Sequence, residues 1–480
     1  MNILDRLVAS VSPERAARRM AWRQVLSHYA AAGYGRRSRS WNANNSDADG
    51  AAARRARLAY ITRDMIRNTP YAARAQQVIT NNVVGDGIIP KIVGSAGAKR
   101  QGLDLVERHF DTTAIDADGR LNLYGLQRLA MNTVVESGEV LVRRRRRQIG
   151  DGLPLPFQVQ VLEPDYLDVL REGPLPSGNY VREGIEFDLI GRRVAYYLWD
   201  EHPGRSSGIL SGIRVLSRRV PASEVLHIYR LDRPGQIRGV SWMSGIALNL
   251  QDLGDHQDAE LMRQKIAACF AAFRTSPDGA PDKDAEGIGG TLRPGAIMEL
   301  APGEDIRFGV PPKVDGFEEF NRVILRSVAA GLGVTYEALT GDLSTVNFSS
   351  ARMGRMEMDR NISSWQWTLM IPQFCQPMAE WFQEAWQIQA GGRAPQARVA
   401  WVPPYRTLVD PTREIPALRD KVRAGFASRQ GVVRELGHDP ERLMEEIRED
   451  RETAKAAGVQ FDSDASASTP EVAEGANDEG

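Results

Sequence analysis

Apolar positions along this chain recur with two periods, and the places where the period changes mark its elements. From Ala59 a helical spacing runs through Ile61, Met65 and Ile66, then Ala72, Ala75, Val78 and Ile79, until Gly85, Gly87 and Pro90 end it. Residues 121–137 predict a second helix. The stretch GEVLVRRRRR then turns strand-like, because Val140 and Val142 alternate with polar positions. FQVQVL, EFDLI and VAYYLW read as further strands of a small α+β region, with Gly191-Arg192 as a hairpin turn, and residues 225–229 as one more strand before a Pro-Gly loop.

Beyond residue 240 the helical period dominates. Residues 241–274 predict a long helix, with Ile246, Leu250 and Leu253 on one stripe and Met262, Ile266, Cys269 and Phe273 on the next. TSPDGAPDKDAEGIGG is linker-like, and LRPGAIMELAPGEDIRF reads as two short strands joined at Pro302-Gly303. Asp315, with Glu318 three residues on, has the pattern of a capping box for a helix from Phe317. Phe320, Ile324 and Val328 give that helix a stripe, and Gly331 and Gly333 end it. After a loop, residues 348–387 are helical by pattern, with kinks expected at Pro372 and Pro377. Two or three helices follow Pro411. No internal repeat is visible.

Composition narrows the classes. The chain has 480 residues, 42% hydrophobic and 26% charged, enough for a sizeable core and about three folding units. A net charge of −1 excludes a protein that binds polyanions simply by being basic overall. The distribution is uneven: residues 1–60 carry eleven Arg and no Lys against four acids, and the segment after Phe461 has six acids and no base. The first 57 residues read as a mobile basic arm, the last 25 as a disordered acidic tail. Two cysteines, Cys269 and Cys375, cannot make a disulfide framework or close a zinc site unaided. No apolar run is long enough for a membrane span and the N-terminus lacks a signal-peptide core, so the expectation is a soluble protein made in a cytoplasm.

Candidate chemistry is sparse. HExxH, GxxxxGK[ST] and paired Cys-x-x-Cys are absent, and the six histidines have no partners at metal-ligand spacing. His256, amid acids, reads as part of a solvated or interface face. Arg143 to Arg147 could neutralise phosphates, yet alternate residues of a strand point to opposite faces, so some could instead pair with acids at a subunit interface. Trp365, Trp367, Trp381 and Trp386 could stack on bases, but their apolar neighbours favour packing. No catalytic residue, metal or cofactor is expected.

Five motifs in one order add to this: NNVVGDGI, LEPDYLD, LHIYRLDRPGQIRGVSWMSG, LRPGAIMELAPGEDIRF and GLGVTYEALTGDLSTVNFSSAR. Over roughly residues 58–450 the chain resembles the portal proteins of tailed bacteriophages, the lambda family in particular. The resemblance implies an α+β portal fold assembled as a ring, of twelve subunits in such proteins. It would comprise a wing (58–240), a first stem helix (241–274), a small β-containing clip (275–316) and a second stem helix (317–333). A tunnel loop (334–347), a long kinked tunnel helix returning to the wing (348–409) and crown helices (410–455) would follow. It also implies a channel for double-stranded DNA at one capsid vertex, lined in its tunnel loop by Tyr336, Glu337, Thr340, Gly341, Asp342, Ser344, Thr345 and Asn347. Gly341-Asp342 would form the tip turn. That loop has no Lys or Arg, so it would repel phosphates and let a duplex slide. Implied partners are further copies of the chain, the terminase large subunit, head–tail connector or adaptor proteins, and major capsid and scaffolding proteins, with no membrane. The implied location is the virion, with assembly in the host cytoplasm. The rival reading is a non-portal DNA-binding or DNA-processing protein that uses its Arg-rich arm.

Overall fold

The computed structural model describes residues 14, 48, 52–204, 216–268, 272–275, 305–308, 316–344, 346–404, 410–438 and 440–459. The chain divides into two units, one of Met1–Gly50 with Arg233–Gln236 and the other of Ala51–Asp232 with Ile237–Gly480. The second unit holds the strands and helices from Ala52 onward.

Helix α1 (Ala52–Asn68) begins inside the segment expected to be a mobile arm. Its Arg55 is buried against Glu183, a partner that local composition could not reveal. The single helical pattern expected from Ala59 is in fact two helices. Pro70, which has no N–H to give, sits at the first turn of α2 (Pro70–Val83). Strand β1 (Ile89–Gly94) and helix α3 (Ala96–Leu105) follow. Helix α4 (Leu123–Ser137) is capped by Asn122, whose side chain accepts from the Gly125 N–H. It lies against α1 and α2, where Thr62 Oγ1 donates to the Glu136 carbonyl at 2.7 Å and Thr80 Oγ1 to Asn132 Oδ1 at 2.7 Å.

Gly138 ends α4 with φ +93°, and a Cβ there would fall 2.3 Å from the Val240 carbonyl carbon. Only glycine serves both the left-handed cap and the close crossing. The chain then enters β2 (Glu139–Arg146), the centre of an antiparallel three-stranded sheet between β3 (Phe157–Leu162) and a strand at Val225–Tyr229. Between those two lies a five-stranded meander: β4 (Gly173–Pro174), β5 (Tyr180–Arg182), β6 (Ile185–Phe187), β7 (Arg193–Trp199) and β8 (Ser217–Pro221). The strand at Val225–Tyr229 is β9. The expected hairpin at Gly191 is present: Asp188 accepts from the N–H groups of Ile190 and Arg192, and Gly191 has φ +81°. The two faces of β2 serve two cores. Val140 and Val142 join the main one, while Leu141 joins a second with Leu162, Ile185, Phe187 and Leu198.

The expected helix over 241–274 is shorter. Ser241, Trp242 and Met243 are buried, and the Trp242 backbone N–H donates to the Val135 carbonyl at 3.2 Å, which holds this stretch outside the helix. Helix α5 is Ala247–Ala268, and Phe273 lies in strand β10 (Ala272–Thr275). Leu250 and Leu253 are buried as expected, but Met262, on the second stripe, is 57% exposed. Strand β11 (Asp305–Phe308) pairs with β10, a partner that proximity in sequence could not supply. Pro302-Gly303 and Cys269 lie outside the described residues.

Helix α6 (Phe317–Leu332) opens on Gly316, at φ +93° and with no side-chain cap; Asp315, expected to cap it, lies outside the described residues. After a short helical turn, α7 (Tyr336–Thr340), comes α8 (Phe348–Trp365). Wide turns at Gln366–Cys375 continue α8 directly into α9 (Gln376–Gln389). There the Gln376 N–H reaches back five residues to the Ile371 carbonyl. Pro372 sits within these turns, where the altered pattern accommodates its missing donor. Leu369, Met370, Phe374, Met378, Trp381, Phe382 and Trp386 bury one face of this run, so two of the four tryptophans are core, whereas Trp367 is 58% exposed. Strand β12 (Ala397–Val402) returns to pair with β1. Helices α10 (Pro411–Arg423), α11 (Arg429–Glu435) and α12 (Pro440–Ala457) complete the described chain.

Candidate channel element

The segment from Val334 to Asn347 was expected as one loop and contains a helical turn. Gly333 (φ +70°) ends α6 and bonds back to Ala329 and Ala330. Thr335 caps α7, its hydroxyl accepting from the Ala338 N–H at 3.1 Å. Gly341 ends the turn at φ +74°, with its N–H on the Glu337 carbonyl at 2.8 Å. The reversal expected at Gly341-Asp342 therefore starts as a left-handed helix cap.

Four of the expected polar residues form one knot. Tyr336 donates its hydroxyl to Asp342 Oδ2 at 3.2 Å, and Ser344 donates both its N–H (3.0 Å) and its hydroxyl (2.6 Å) to Asp342 Oδ1. Thr340 Oγ1 donates to the Tyr336 carbonyl and accepts from the Asp342 N–H. The Ser344 hydroxyl, then its N–H, hold the Asp342 carboxyl below the usual carboxylate range. Glu337 is half-buried. Asn347 caps α8 in a reciprocal box with Ser350. Thr345 lies outside the described residues.

This polar surface is anchored from below. Leu339 is 1% exposed and belongs to the main core, with Tyr336 packed at its margin. Arg74 donates to the Ala338 carbonyl at 3.2 Å, Asn361 to the Gly333 carbonyl at 2.9 Å, and the Arg326 guanidinium lies 5.6 Å from the Tyr336 ring centre. Leu343 stays 67% exposed and is not such an anchor.

A second polar site was missed by reading the sequence. Glu139, on β2, is 1% exposed and accepts from Arg238, from His227 Nε2 at 2.9 Å and from the Gly239 N–H at 2.8 Å. Burial opposes its charge, but Arg238 and His227 outweigh that and hold its carboxyl below the ordinary range. Arg238 also faces Glu183, which pairs with Arg55. Glu183 itself has φ +48°, the described non-glycine residue with a positive value. The signal available in the sequence was a glutamate opening a strand just before its apolar run Val140–Val142; its partners are remote.

Glu163, Asp165 and His202 place one ligand atom each within 4.8 Å of one another, a grouping that could hold a cation and that spacing did not predict. Arg63 already serves it, with Nη2 2.5 Å from Asp165 and 3.8 Å from Glu163. The Gly204 N–H donates to His202 Nδ1, leaving Nε2–H to donate to Glu163 at 3.1 Å. Arg63 and the His202 imidazole thus already serve both carboxylates.

The arginine run divides by face. Arg144 and Arg146 both pair with Glu224 and Glu384, at 2.6–3.0 Å, within this chain and not across a subunit interface. Trp381 lies under Arg144, 5.2 Å from its guanidinium carbon. His256, expected on a solvated or interface face, rests on Phe317 and Phe320, with ring centres 5.3 and 4.4 Å away.

Comparison with known proteins agrees with the motif series. Residues 34–366 match the family described as phage portal protein, lambda family. The chain is 26% identical over 432 residues to the probable portal protein of Halomonas phage phiHAP-1, covering 83% of this chain and 80% of that protein. It is 22% identical to the portal protein of Escherichia phage N15, over 90% of this chain and 91% of that one. Portal protein B of Escherichia phage lambda gives 22% identity, with 90% of each covered. Among solved structures, a chain in the neck of a native gene transfer agent particle computed with C12 symmetry is 16% identical with a TM-score of 0.47, covering 78% of this chain and 93% of that one. This chain belongs to the lambda family of phage portal proteins. Among the described residues no helix is long and apolar enough to cross a membrane.

Proposed function

We propose that copies of this chain close into a ring, of twelve subunits, at one vertex of a phage or prophage capsid, and that double-stranded DNA is packaged and ejected through it. The observation that supports this reading is the family match across 34–366, which ends within the long helix that follows the turn at Asp342. In this reading α5 and α6 form the stem, residues 275–316 the clip and α10 to α12 the crown. The ring has no catalytic role. Terminase supplies ATP hydrolysis from the clip side, and connector and capsid proteins bind around it. Tyr336, Glu337, Thr340, Gly341, Asp342, Ser344, Thr345 and Asn347 face the channel at its narrowest point. An acid whose charge is held by neighbouring donors repels phosphates, and with no Lys or Arg in the loop the duplex slides without sticking.

Light scattering on the eluting native protein tests the ring: a mass near twelve protomers is expected, and a strict monomer at every concentration and salt overturns it. ATPase or nuclease activity in the pure chain would contradict the non-catalytic role. For the turn, changing Glu337 and Asp342 together to Lys should leave assembly intact and impair packaging or DNA retention. Failed assembly with normal packaging chemistry would make the turn a subunit contact instead.

A further inference from the structure

Arg144 and Arg146 are absorbed by acids, and the odd-numbered arginines of the same strand are left over. Arg143, Arg145 and Arg147 project from the opposite face, at and just beyond the end of β2. Strand geometry spaces them by about 6.6 Å. Arg145 is held by Gln160, donating from Nε at 3.1 Å and Nη2 at 2.5 Å, and Arg147 by Gln158 at 2.8 Å. These partners are neutral amides. Arg143 has no hydrogen-bond or ion-pair partner among the described residues. On β8, Arg218 adds a fourth guanidinium close to Arg143, with Asp200 2.7 Å away as its counter-ion.

The four cations repel one another. Burial first, and then the neighbouring guanidiniums, push Arg143 and Arg145 below the ordinary arginine range. Neighbouring acids offset this only in part: Asp200 acts on both, Asp118 on Arg145, and Glu224 on Arg143 from across the sheet while bound to Arg144 and Arg146. This face thus gathers guanidiniums that are only partly offset by acids, two of them fixed by neutral amides.

We infer that Arg143, Arg145 and Arg147 form a ledge that binds the phosphate backbone of double-stranded DNA without reading its sequence. Three features favour phosphates over an acidic protein surface. The row is evenly spaced, as a backbone's charges are. Guanidinium groups hydrogen-bond phosphate oxygens in pairs. The cross-strand neighbours on β3 are Gln160 and Gln158, and Val225, opposite Arg143 on β9, is buried in the second core. The ledge thus offers none of the exposed apolar anchors that protein interfaces bury at their centres, whereas protein–DNA interfaces are polar and positively charged. The inference is independent of the ring, since it rests on one strand of one subunit.

The test is fluorescence anisotropy of a labelled duplex of about 24 base pairs against the full-length protein, over about 50–200 mM salt. Three lost phosphate contacts should make the slope of log affinity against log salt shallower by about 2.7 and weaken binding on the order of 10²-fold at about 0.1 M salt. The variant is Arg143→Gln with Arg145→Gln and Arg147→Gln. Replacing all three with Lys should keep most of the slope. If the Gln variant fails to fold, Gln158→Glu with Gln160→Glu neutralises two of the three arginines while retaining all of them, and the slope should become shallower by about 1.8. Arginine changes confined to residues 1–40 separate the N-terminal segment's own contribution. An unchanged slope in the folded Gln variant or the Glu variant overturns the proposal. So does a poly-glutamate peptide that binds the ledge more tightly than the duplex, which would make it a docking surface for acidic protein.

Discussion

Glu139 and Asp342 are both carboxylates that collect several donors, and they differ in what those donors are for. Around Glu139 the side-chain donors are buried, the charged Arg238 and the imidazole of His227, with Arg55 and Glu183 behind them. Around Asp342 they are two hydroxyls and one N–H drawn from Tyr336 and Ser344, within six residues along the chain. Removing a partner from the first strands an ion away from water, whereas water can replace any partner in the second. The same chemical group therefore acts as a fold-determining tie in one region and as a local shaper of a surface turn in the other.

The largest test of that contrast is Glu139→Gln. Losing one charge of a buried network should destabilise the protein by about 3–5 kcal/mol, read as a lower midpoint in denaturant titration. A loss no greater than that of an exposed acid would end the distinction. Buried histidine sharpens it by pH. Burial holds His109, fully enclosed beside Phe110 and Phe157, down to about 4, while in the unfolded chain it titrates near its ordinary value of 6.5. Below that value the unfolded state takes up more protons, so stability is complete above about pH 6.5 and falls as pH drops toward 4, by at most about 3 kcal/mol. His227 is shifted in the same direction. Melts at pH 7.5 and 5 should show the loss, and His109→Leu should remove part of it.

At the turn the effects are smaller. Thr335→Ala removes the cap of α7 and should cost about 1 kcal/mol, visible as a modest fall in the denaturation midpoint. Asp342→Asn should leave that midpoint unchanged and speed hydrogen exchange at the Ser344 amide, because it weakens one acceptor at the surface. A global loss from Asp342→Asn would show that the turn, too, is a tie of the fold.

By itself the sequence determined what depends on neighbours in the chain. Strand alternation at Val140 and Val142, the hairpin at Gly191, the reversal at Gly341 and the ordered motifs that mark the family are all local patterns, and a period or a glycine carries its meaning within a few residues. What it left open depends on residues far apart. Whether Arg144 would meet DNA, another subunit or an acid was settled by Glu384, 240 residues away, and Glu139 became the centre of a buried cluster only through Arg238, 99 residues on. The start of α1 at Ala52 was hidden because Arg55 reads as solvated until Glu183 is placed beside it. The stretch at Ser241–Met243 kept a helical pattern yet lost the helix, because its backbone and side chains were already committed to Val135 and the core. Tertiary structure decided these cases, because a charge takes its role from the partner and the burial it finds, and neither is written in the residues beside it.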